Sequence, residues 1–246
     1  KYIDYAIVDN FIVPDENDKF FTEKLIKLQG CYQATDNTRF MPSPLPRKKF
    51  GLPEDMFVFC SFNNTYKIQP KIYDIWMDIL ENKEDSVLWL LETENTAKSN
   101  LLNVAKERGI NESRIIFSKK ILITDHIQRQ MCADLFLDTF PICAHTTASD
   151  ALWVGLPIVT MVGKSMVSRV AGSALKNIGM EELITHNYEE YKNKILFIAN
   201  NPKYFNEIKD KIKRNRLQTK LFDTKAFTKN LEEEYKRLFI SWKNSK

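Results

Sequence analysis

The chain has 246 residues, of which 43% are hydrophobic and 28% are charged. These shares are typical of an ordinary globular protein. The 36 basic and 32 acidic residues are mixed along the sequence and leave a net charge of +4. This balance excludes the strongly basic footprint of a nucleic-acid or membrane-surface protein, so we expect neither partner.

The first 41 residues form a unit of their own in the sequence pattern. Tyr2–Asp9 reads as a short buried strand, and Phe20–Leu28 reads as an amphipathic helix. Three prolines then follow at alternate positions within residues 42–49. Because proline does not fit a helix interior, this spacing predicts an extended connector and a domain boundary.

Strand-like and helix-like segments alternate between Phe57 and Met161, within a main domain that we expect to span residues 50–223. The strand-like segments are Phe57–Phe62, Val87–Leu91, Arg114–Phe117, Leu135–Asp138 and Pro157–Met161. The helix-like segments between them are Pro70–Glu81, Thr96–Arg108, Asp125–Cys132 and Thr147–Val154. This alternation predicts an α/β domain with a parallel sheet covered by helices on both faces.

Helices dominate after Ser165, and residues 224–246 predict a C-terminal amphipathic helix. One face of that helix is apolar and should pack on another surface: Phe227, Leu231, Tyr235, Leu238, Phe239 and Trp242. The basic stretch from Lys203 to Lys220 also carries apolar residues at near-helical spacing. It therefore predicts a solvated helix face rather than a polyanion site.

Cysteine and histidine positions give no metal-binding spacing. The four cysteines are scattered, and we expect buried free thiols and a cytoplasmic protein: Cys31, Cys60, Cys132 and Cys143. The three histidines are far apart, and no Asp-x-Asp pair occurs. We therefore expect no metal site.

The loops that follow the strands hold the candidate site residues, because ligands of open α/β sheets bind beyond the carboxyl ends of the strands. Ser61–Lys67 follows the first strand of the main domain and contains Asn64 and Lys67. Its amide and ammonium groups suit a diphosphate. An ordinary polar turn before the next helix is the alternative. No glycine-rich phosphate loop occurs in the chain.

A second loop leads into the helix-like segment that contains His126 and Arg129. Thr124 or Asp125 is suited to cap this helix. His126 and Arg129 are three positions apart and therefore share a helix face. They suit contact with a base or a ribose, and the alternative is two solvent-facing polar residues.

The stretch Thr139–Asp150 is the most suggestive of the loops. Thr146 and Thr147 stand where a helix begins, and the free N–H groups and dipole of a helix start attract phosphate. Asp150, about one turn further, suits ribose hydroxyl groups. The alternative is that the threonines only cap the helix and that Asp150 favours its first turn.

Taken together, these stretches resemble the protein O-GlcNAc transferase family and the related SPINDLY-type protein O-fucosyltransferases. The matching runs fall in order between Phe50 and Trp242: Phe50–Asp55, Ser61–Lys67, Arg114–Ser118, Leu137–Thr139, His145–Thr147, Asp150–Trp153 and Ser168–Ala171. A weaker similarity covers Tyr2–Asp36. Each run alone is weak, and their order along the chain carries the resemblance.

The resemblance implies a GT-B glycosyltransferase, which has two Rossmann-like lobes. Residues 50–223 would be the C-terminal lobe that binds the nucleotide sugar, and residues 1–41 would end the N-terminal lobe. The rest of that lobe, and the tetratricopeptide repeats common in the family, would lie outside this chain. The domain that animal members carry between the lobes is absent, which implies a bacterial-type enzyme.

The resemblance also implies roles for single residues. Lys67 matches the lysine that contacts the donor diphosphate and assists the leaving group, which makes it the candidate catalytic residue. His126 and Arg129 match residues that line the uridine. The helix start at Thr146 and Thr147 matches the phosphate site, and the carboxylate at position 150 matches the ribose contact.

Departures from the family pattern concern the donor. Asn64 stands where the O-GlcNAc enzymes have glutamine, and Leu137–Pro141 resembles the fucosyl branch. Ile123 replaces a lysine that contacts the nucleoside. His145 and Ser168–Ala171 resemble the O-GlcNAc branch.

We therefore expect inverting, metal-independent transfer of GlcNAc from UDP-GlcNAc to Ser or Thr of an acceptor protein, without a cofactor. GDP-fucose and UDP-glucose are alternative donors, and a non-catalytic nucleotide-binding scaffold is the alternative of another class. By itself the chain should bind the donor and transfer little.

Overall fold

A six-stranded parallel sheet forms the centre of the computed structural model, which describes residues 2–92 and 94–245. Its strands are β3 (Phe57–Ser61), β4 (Ser86–Leu91), β5 (Ile115–Ser118), β6 (Leu135–Leu137), β7 (Ile158–Met161) and β8 (Ile184–Thr185). Two further strands, β1 (Tyr5–Asp9) and β2 (Lys24–Leu28), form a separate parallel pair. The predicted parallel sheet from residue 57 onward is confirmed.

Eight α-helices occur in the described residues. They are α1 (Pro70–Asn82), α2 (Asn95–Glu107), α3 (Ile123–Arg129), α4 (Thr146–Trp153), α5 (Val170–Asn177), α6 (Tyr188–Ala199), α7 (Pro202–Asn215) and α8 (Thr224–Asn244). The sheet strands are buried on both faces, as in β4, where five of six residues are buried. Large aromatic side chains fill the space between sheet and helices, with Trp76, Trp89 and Tyr191 fully buried. These continuous apolar strands explain why the sheet needs helices on both sides.

The strand order of the central sheet is β5-β4-β3-β6-β7-β8. The chain therefore builds outward from β3 in one direction and then outward from β6 in the other. β3 and β6 pair directly, with Phe59 opposite Leu135. Such a reversal opens a crevice at the carboxyl ends of the two central strands, where α/β sheets bind ligands. The loops after β3 and β6 meet at this crevice.

The N-terminal unit differs from its prediction. The segment Phe20–Leu28 is not a helix, because only Asp15–Phe20 forms a 3-10 helix and Lys24–Leu28 is strand β2. Ile26 and Leu28 are its buried residues, which is the two-residue period of a strand. Backbone pairing with β1 over five residues outweighs the helical pattern of the side chains.

The carboxylate of Asp9 fastens this unit to the main domain. Asp9 is 2% exposed and accepts hydrogen bonds from the backbone N–H groups of Phe11 and Ile12, both at 2.8 Å. Its other oxygen accepts from the Tyr32 N–H at 2.9 Å and from the Ser173 hydroxyl at 2.7 Å. Ser173 lies on α5, so this hydrogen bond connects the unit of β1 and β2 to a helix of the main domain.

Arg169 adds a second tie, and this gives a structural role to the run Ser168–Ala171. Its guanidinium donates to the Phe11 carbonyl at 2.6 Å and to the Gly163 carbonyl at 2.9 Å. The same guanidinium lies 4.8 Å from the centre of the Phe11 ring. The arginine therefore joins the loop after β7 to the N-terminal unit.

Strand β8, the C-terminal helix and the cysteines can also be compared with their sequence predictions. The two-residue strand β8 was not predicted, because so short an edge strand leaves no period to detect. The C-terminal helix is confirmed as α8, but Tyr235, Phe239 and Trp242 on its apolar face remain more than half exposed. The four cysteines are buried and free, as predicted. None of the helices in the described part of the chain is long and apolar enough to cross a membrane.

Candidate functional site

The loop between β6 and α4 is held in place by one buried carboxylate. Asp138 Oδ1 accepts hydrogen bonds from the backbone N–H groups of Thr139 at 2.8 Å and Ala144 at 2.7 Å. Oδ1 also accepts from the Asn63 amide at 3.2 Å, and Oδ2 accepts from the Thr160 hydroxyl at 2.6 Å. Burial raises the pKa of Asp138 to about 6, and the four donors favour the ionised form at neutral pH. Asp138 thus fixes the path of the chain into α4.

Helix α4 begins with free backbone donors that face the crevice. His145 is the residue before the helix, and its side chain does not cap the start. The first intrahelical bond runs from the Ala148 N–H to the His145 carbonyl at 3.0 Å. The N–H groups of Thr146 and Thr147 precede that bond. Both threonines are the first residues of the helix itself, so neither stands at the cap position. The helix start keeps the donors and the partial positive charge that suit a phosphate.

Lys67 reaches the same place from the loop after β3. It ends the 3-10 helix Thr65–Lys67, and its ammonium donates to the Cys143 carbonyl at 3.0 Å, three residues before the α4 start. Burial and then the Lys67 cation lower the pKa of His145. The His145 Nε2 atom is buried and has no hydrogen-bond partner among the described residues. An ammonium, an imidazole and a helix start therefore converge at the crevice.

His126 and Arg129 form a pair beside this cluster. Arg129 is 1% exposed, and its guanidinium lies 4.8 Å from the Phe62 ring centre and 6.0 Å from that of Trp89. Its Nε and Nη2 atoms lie 3.0 Å and 2.7 Å from His126 Nδ1, and its Nη1 donates to the Lys119 carbonyl at 2.7 Å. The alternative of two solvent-facing residues is wrong, because aromatic rings enclose the guanidinium.

The ring of His126 is held in one tautomer. A guanidinium only donates hydrogen bonds, so Nδ1 is the acceptor and the ring proton lies on Nε2. Burial and then the Arg129 cation lower the pKa of His126 to about 4. The imidazole is therefore neutral at pH 7 and carries an N–H donor on Nε2.

These side chains line a depression of about 280 Å³, which we call the His126 depression. Its lining consists of Phe62, Leu91, Lys120, Ile121, Ile123, His126, Arg129, Thr146, Thr147 and Asp150. A second depression of about 520 Å³, the Arg39 depression, shares three of these residues. Its lining consists of Asp36, Arg39, Phe40, Pro42, Ile123, Thr124, Ile127, Thr146 and Asp150.

Asp150 lies between the two depressions and is buried. It makes an ion pair with Arg39, through Arg39 Nη1 and Asp150 Oδ1. Burial raises the pKa of Asp150, and the Arg39 cation opposes that shift. The structure thus places Asp150 one turn into α4 as predicted, and it adds a partner that the sequence pattern did not indicate.

One sequence prediction beside the site does not hold. Neither Thr124 nor Asp125 caps α3, because the residue before the helix is Leu122 and both residues lie within the first turn. Asn64 is exposed and lines a separate polar depression of about 470 Å³ with Glu92 and Lys119. Asn64 and His126 therefore line different depressions.

The buried imidazole makes stability depend on pH. Because the folded protein holds the pKa of His126 near 4, against 6.5 for an ordinary histidine, the unfolded chain binds this proton more tightly. The stabilisation is therefore complete above pH 6.5 and is lost as the pH falls from 6.5 towards 4. At pH 4.5 the free energy of unfolding of the wild type should have fallen by about 2 kcal/mol because of this histidine. We expect His126→Gln, which keeps an acceptor for Arg129, not to show this fall.

Denaturant unfolding at a series of pH values measures this difference. The control is His186→Gln, since His186 is exposed and far from Arg129 in the sequence. Wild type and the His186 variant should lose stability in parallel, and the His126 variant should lose less. Identical pH curves for wild type and His126→Gln would show that His126 is not held neutral by the fold.

The sequence of the chain matches a known protein family and members of it. The profile of glycosyl transferase family 41 matches residues 45–231. The chain is 35% identical over 246 residues to a probable UDP-N-acetylglucosamine–peptide N-acetylglucosaminyltransferase of Arabidopsis thaliana. This match covers 97% of the chain and 25% of the plant protein. A UDP-N-acetylglucosamine–peptide N-acetylglucosaminyltransferase of Caenorhabditis elegans is 38% identical over 188 residues, or 76% of the chain and 16% of that protein.

A solved structure shows the same architecture. A variant of the Thermobaculum terrenum O-GlcNAc transferase superposes with a TM-score of 0.86 at 28% identity. The superposition covers 95% of this chain and 44% of that one. The GT-B architecture expected for the sheet is confirmed by this likeness. The chain spans a quarter or less of the two curated relatives and less than half of the solved one.

Proposed function

The chain belongs to glycosyl transferase family 41, and from this membership and the crevice geometry we propose that it binds the UDP part of UDP-GlcNAc. The protein that contains it transfers GlcNAc to Ser or Thr hydroxyl groups of an acceptor protein. The observation that carries the proposal is the convergence of Lys67, His145 and the α4 start on one point beyond β3 and β6.

The charge at this point matches the chemistry of the reaction. The acceptor oxygen bonds to the sugar carbon and loses its proton, while the bond from that carbon to the β-phosphate oxygen breaks, so negative charge grows on UDP. Lys67 supplies a full positive charge, and the first N–H groups of α4 supply fixed dipoles. Groups that are already in place need no rearrangement when the charge appears, so they stabilise the transition state. We assign the leaving-group role to Lys67.

The nucleoside fits the neighbouring groups. The Nε2–H of His126 is a donor for a base carbonyl, and Arg129 holds it in that orientation. Asp150, one turn into α4, accepts hydrogen bonds from ribose hydroxyl groups. A base at the His126 depression and a diphosphate at the α4 start would then lie side by side along the crevice.

We also propose that no divalent metal is required. Among residues 2–92 and 94–245, no three His, Cys, Asp or Glu side chains form a group that could hold a metal ion. The diphosphate charge would instead be balanced by Lys67 and the helix start.

Titration calorimetry of nucleotides against this chain tests the donor. We expect UDP to bind more tightly than GDP, because His145 and the run Ser168–Ala171 resemble the O-GlcNAc branch of the family. Added EDTA should leave the affinity for UDP unchanged. GDP binding tighter than UDP would contradict the donor, and loss of binding in EDTA would contradict the metal-free diphosphate site.

One observation, the position of Asn64, supports GDP-fucose as the alternative donor. Asn64, which resembles the fucosyl branch, lines the polar depression beside the crevice rather than the His126 depression. Its contact would therefore be made with the sugar or diphosphate and not with the base. GDP-fucose binding in the same titration would favour protein O-fucosylation.

A further inference from the structure

The segment that joins the N-terminal unit to the main domain passes over the nucleotide crevice and is fastened at both ends. At one end Thr35 donates to the Leu221 carbonyl, and the Thr224 hydroxyl donates to the Thr35 carbonyl at 2.7 Å. At the other end the Gln128 amide donates to the Ser43 carbonyl at 2.9 Å. The residues between these points are thereby held against α3 and α4.

The far end of this segment is fixed still more firmly. The guanidinium of Arg47 donates to the carbonyl groups of Cys132 at 3.1 Å and Met56 at 2.8 Å. It also pairs with Asp134 at 2.6 Å. Pro42, between the two fastened ends, is buried. The position of Arg39 relative to α4 is therefore set by contacts on both sides of it.

Arg39 engages only one oxygen of the carboxylate at position 150. Its Nη1 pairs with Oδ1, and the two side chains are 19% and 11% exposed. Oδ2 of Asp150 accepts no hydrogen bond from any residue in the described ranges, while Asp150 lines the His126 depression. One oxygen is thus held by a charge-assisted bond and the other is left for a ligand donor.

We propose that Arg39 is a positioning residue for the nucleotide site, which holds the Asp150 carboxylate ionised and oriented so that its second oxygen binds the ribose. The inference rests on the proposed function, because it assumes that UDP occupies the crevice. It extends the nucleotide site to a residue 111 positions away in sequence, in the segment before the main domain.

The physical reason is the burial of Asp150. A carboxylate removed from water is costly unless a cation is beside it, and without one it takes up a proton or turns towards solvent. Asp36 and Lys120 are the other charged groups that line the two depressions near Asp150, together with Arg129, which is bound to His126. Arg39 is the cation in direct contact. Its removal would leave Asp150 a poorer acceptor for ribose without touching the diphosphate contacts.

The test compares UDP with 2′,3′-dideoxy-UDP, which lacks both ribose hydroxyl groups, by titration calorimetry on wild type, Arg39→Ala and Arg39→Lys. For wild type we expect the dideoxy compound to bind at least tenfold more weakly than UDP. In Arg39→Ala that ratio should fall below threefold, because UDP loses affinity and the dideoxy compound loses almost none. Arg39→Lys, which keeps the charge, should give an intermediate ratio.

A ratio measured within one variant cancels any loss of folded protein, since misfolding weakens both nucleotides equally. The matched control is Lys48→Ala, which removes one exposed cation from the same segment and should keep the wild-type ratio. An unchanged ratio in Arg39→Ala, or tighter UDP binding by that variant, would overturn the inference and leave the proposed function standing. Absence of UDP binding by wild type would overturn the proposed function and this inference with it.

Discussion

Replacement of Lys67 by alanine is expected to weaken UDP binding at least tenfold and to leave the thermal midpoint of the ligand-free protein nearly unchanged. A charge-assisted contact with a diphosphate contributes about 1.5–3 kcal/mol, which corresponds to a tenfold to hundredfold change in affinity. In the ligand-free protein the ammonium makes one hydrogen bond within the described residues, to the Cys143 carbonyl. Its loss should therefore cost little stability. Calorimetry with UDP and a thermal melt measure both quantities.

The control for this change is Lys71→Ala. Lys71 is exposed at the start of α1, and its ammonium lies 5.9 Å from the centre of the Tyr188 ring. The variant removes the same charge from a nearby helix and should keep wild-type affinity. In a longer protein that contains this chain, Lys67→Ala should nearly abolish sugar transfer. Wild-type UDP affinity in folded Lys67→Ala would refute the role of this lysine.

Replacement of Asp138 by alanine should lower the free energy of unfolding by about 4 kcal/mol, more than any other variant considered. The change leaves the Thr139 and Ala144 N–H groups and the Thr160 hydroxyl buried without their acceptor. Each such group costs about 1–3 kcal/mol. Because Asp138 sets the path of the loop into α4, UDP binding by the remaining folded protein should also weaken.

Asp138→Asn tests how much of the loss of stability comes from the missing acceptor oxygens. The amide keeps one acceptor oxygen in the same place, so the loss of stability should be smaller than with alanine. Asp55→Ala serves as the control, since Asp55 is exposed and its removal should change stability by less than about 0.5 kcal/mol. Chemical denaturation measures all three variants. Stability of Asp138→Ala within 1 kcal/mol of wild type would show that the carboxylate does not hold the loop.

Long buried strands and the helices beside them could be predicted from the sequence, because long apolar runs fit few kinds of secondary structure. β4 and α1 are examples, and their bounds differ from the predicted ones by one residue. The segment Lys24–Leu28 was assigned to a helix because its pairing with β1 depends on residues some twenty positions earlier. Single-segment periodicity carries no information about such a partner.

The site residues on loops were identifiable because a strand end followed by polar residues marks the ligand edge of a parallel sheet. Lys67 and the start of α4 meet as expected for that reason. The contact between Arg39 and Asp150 could not be predicted, since no sequence period links residues so far apart. The roles of Asn63 and Asp138 were also missed, although both lie in runs that match the family. An aspartate at the end of a buried strand, followed by hydroxyl residues, was the available signal.

A structure of this chain with UDP is the most direct test of the proposed nucleotide site. We expect the diphosphate within hydrogen-bond distance of Lys67 Nζ and of the Thr146 and Thr147 N–H groups, with the base at His126 Nε2. A nucleotide bound with its phosphates away from the α4 start, for example at the polar depression that Asn64 lines, would contradict it.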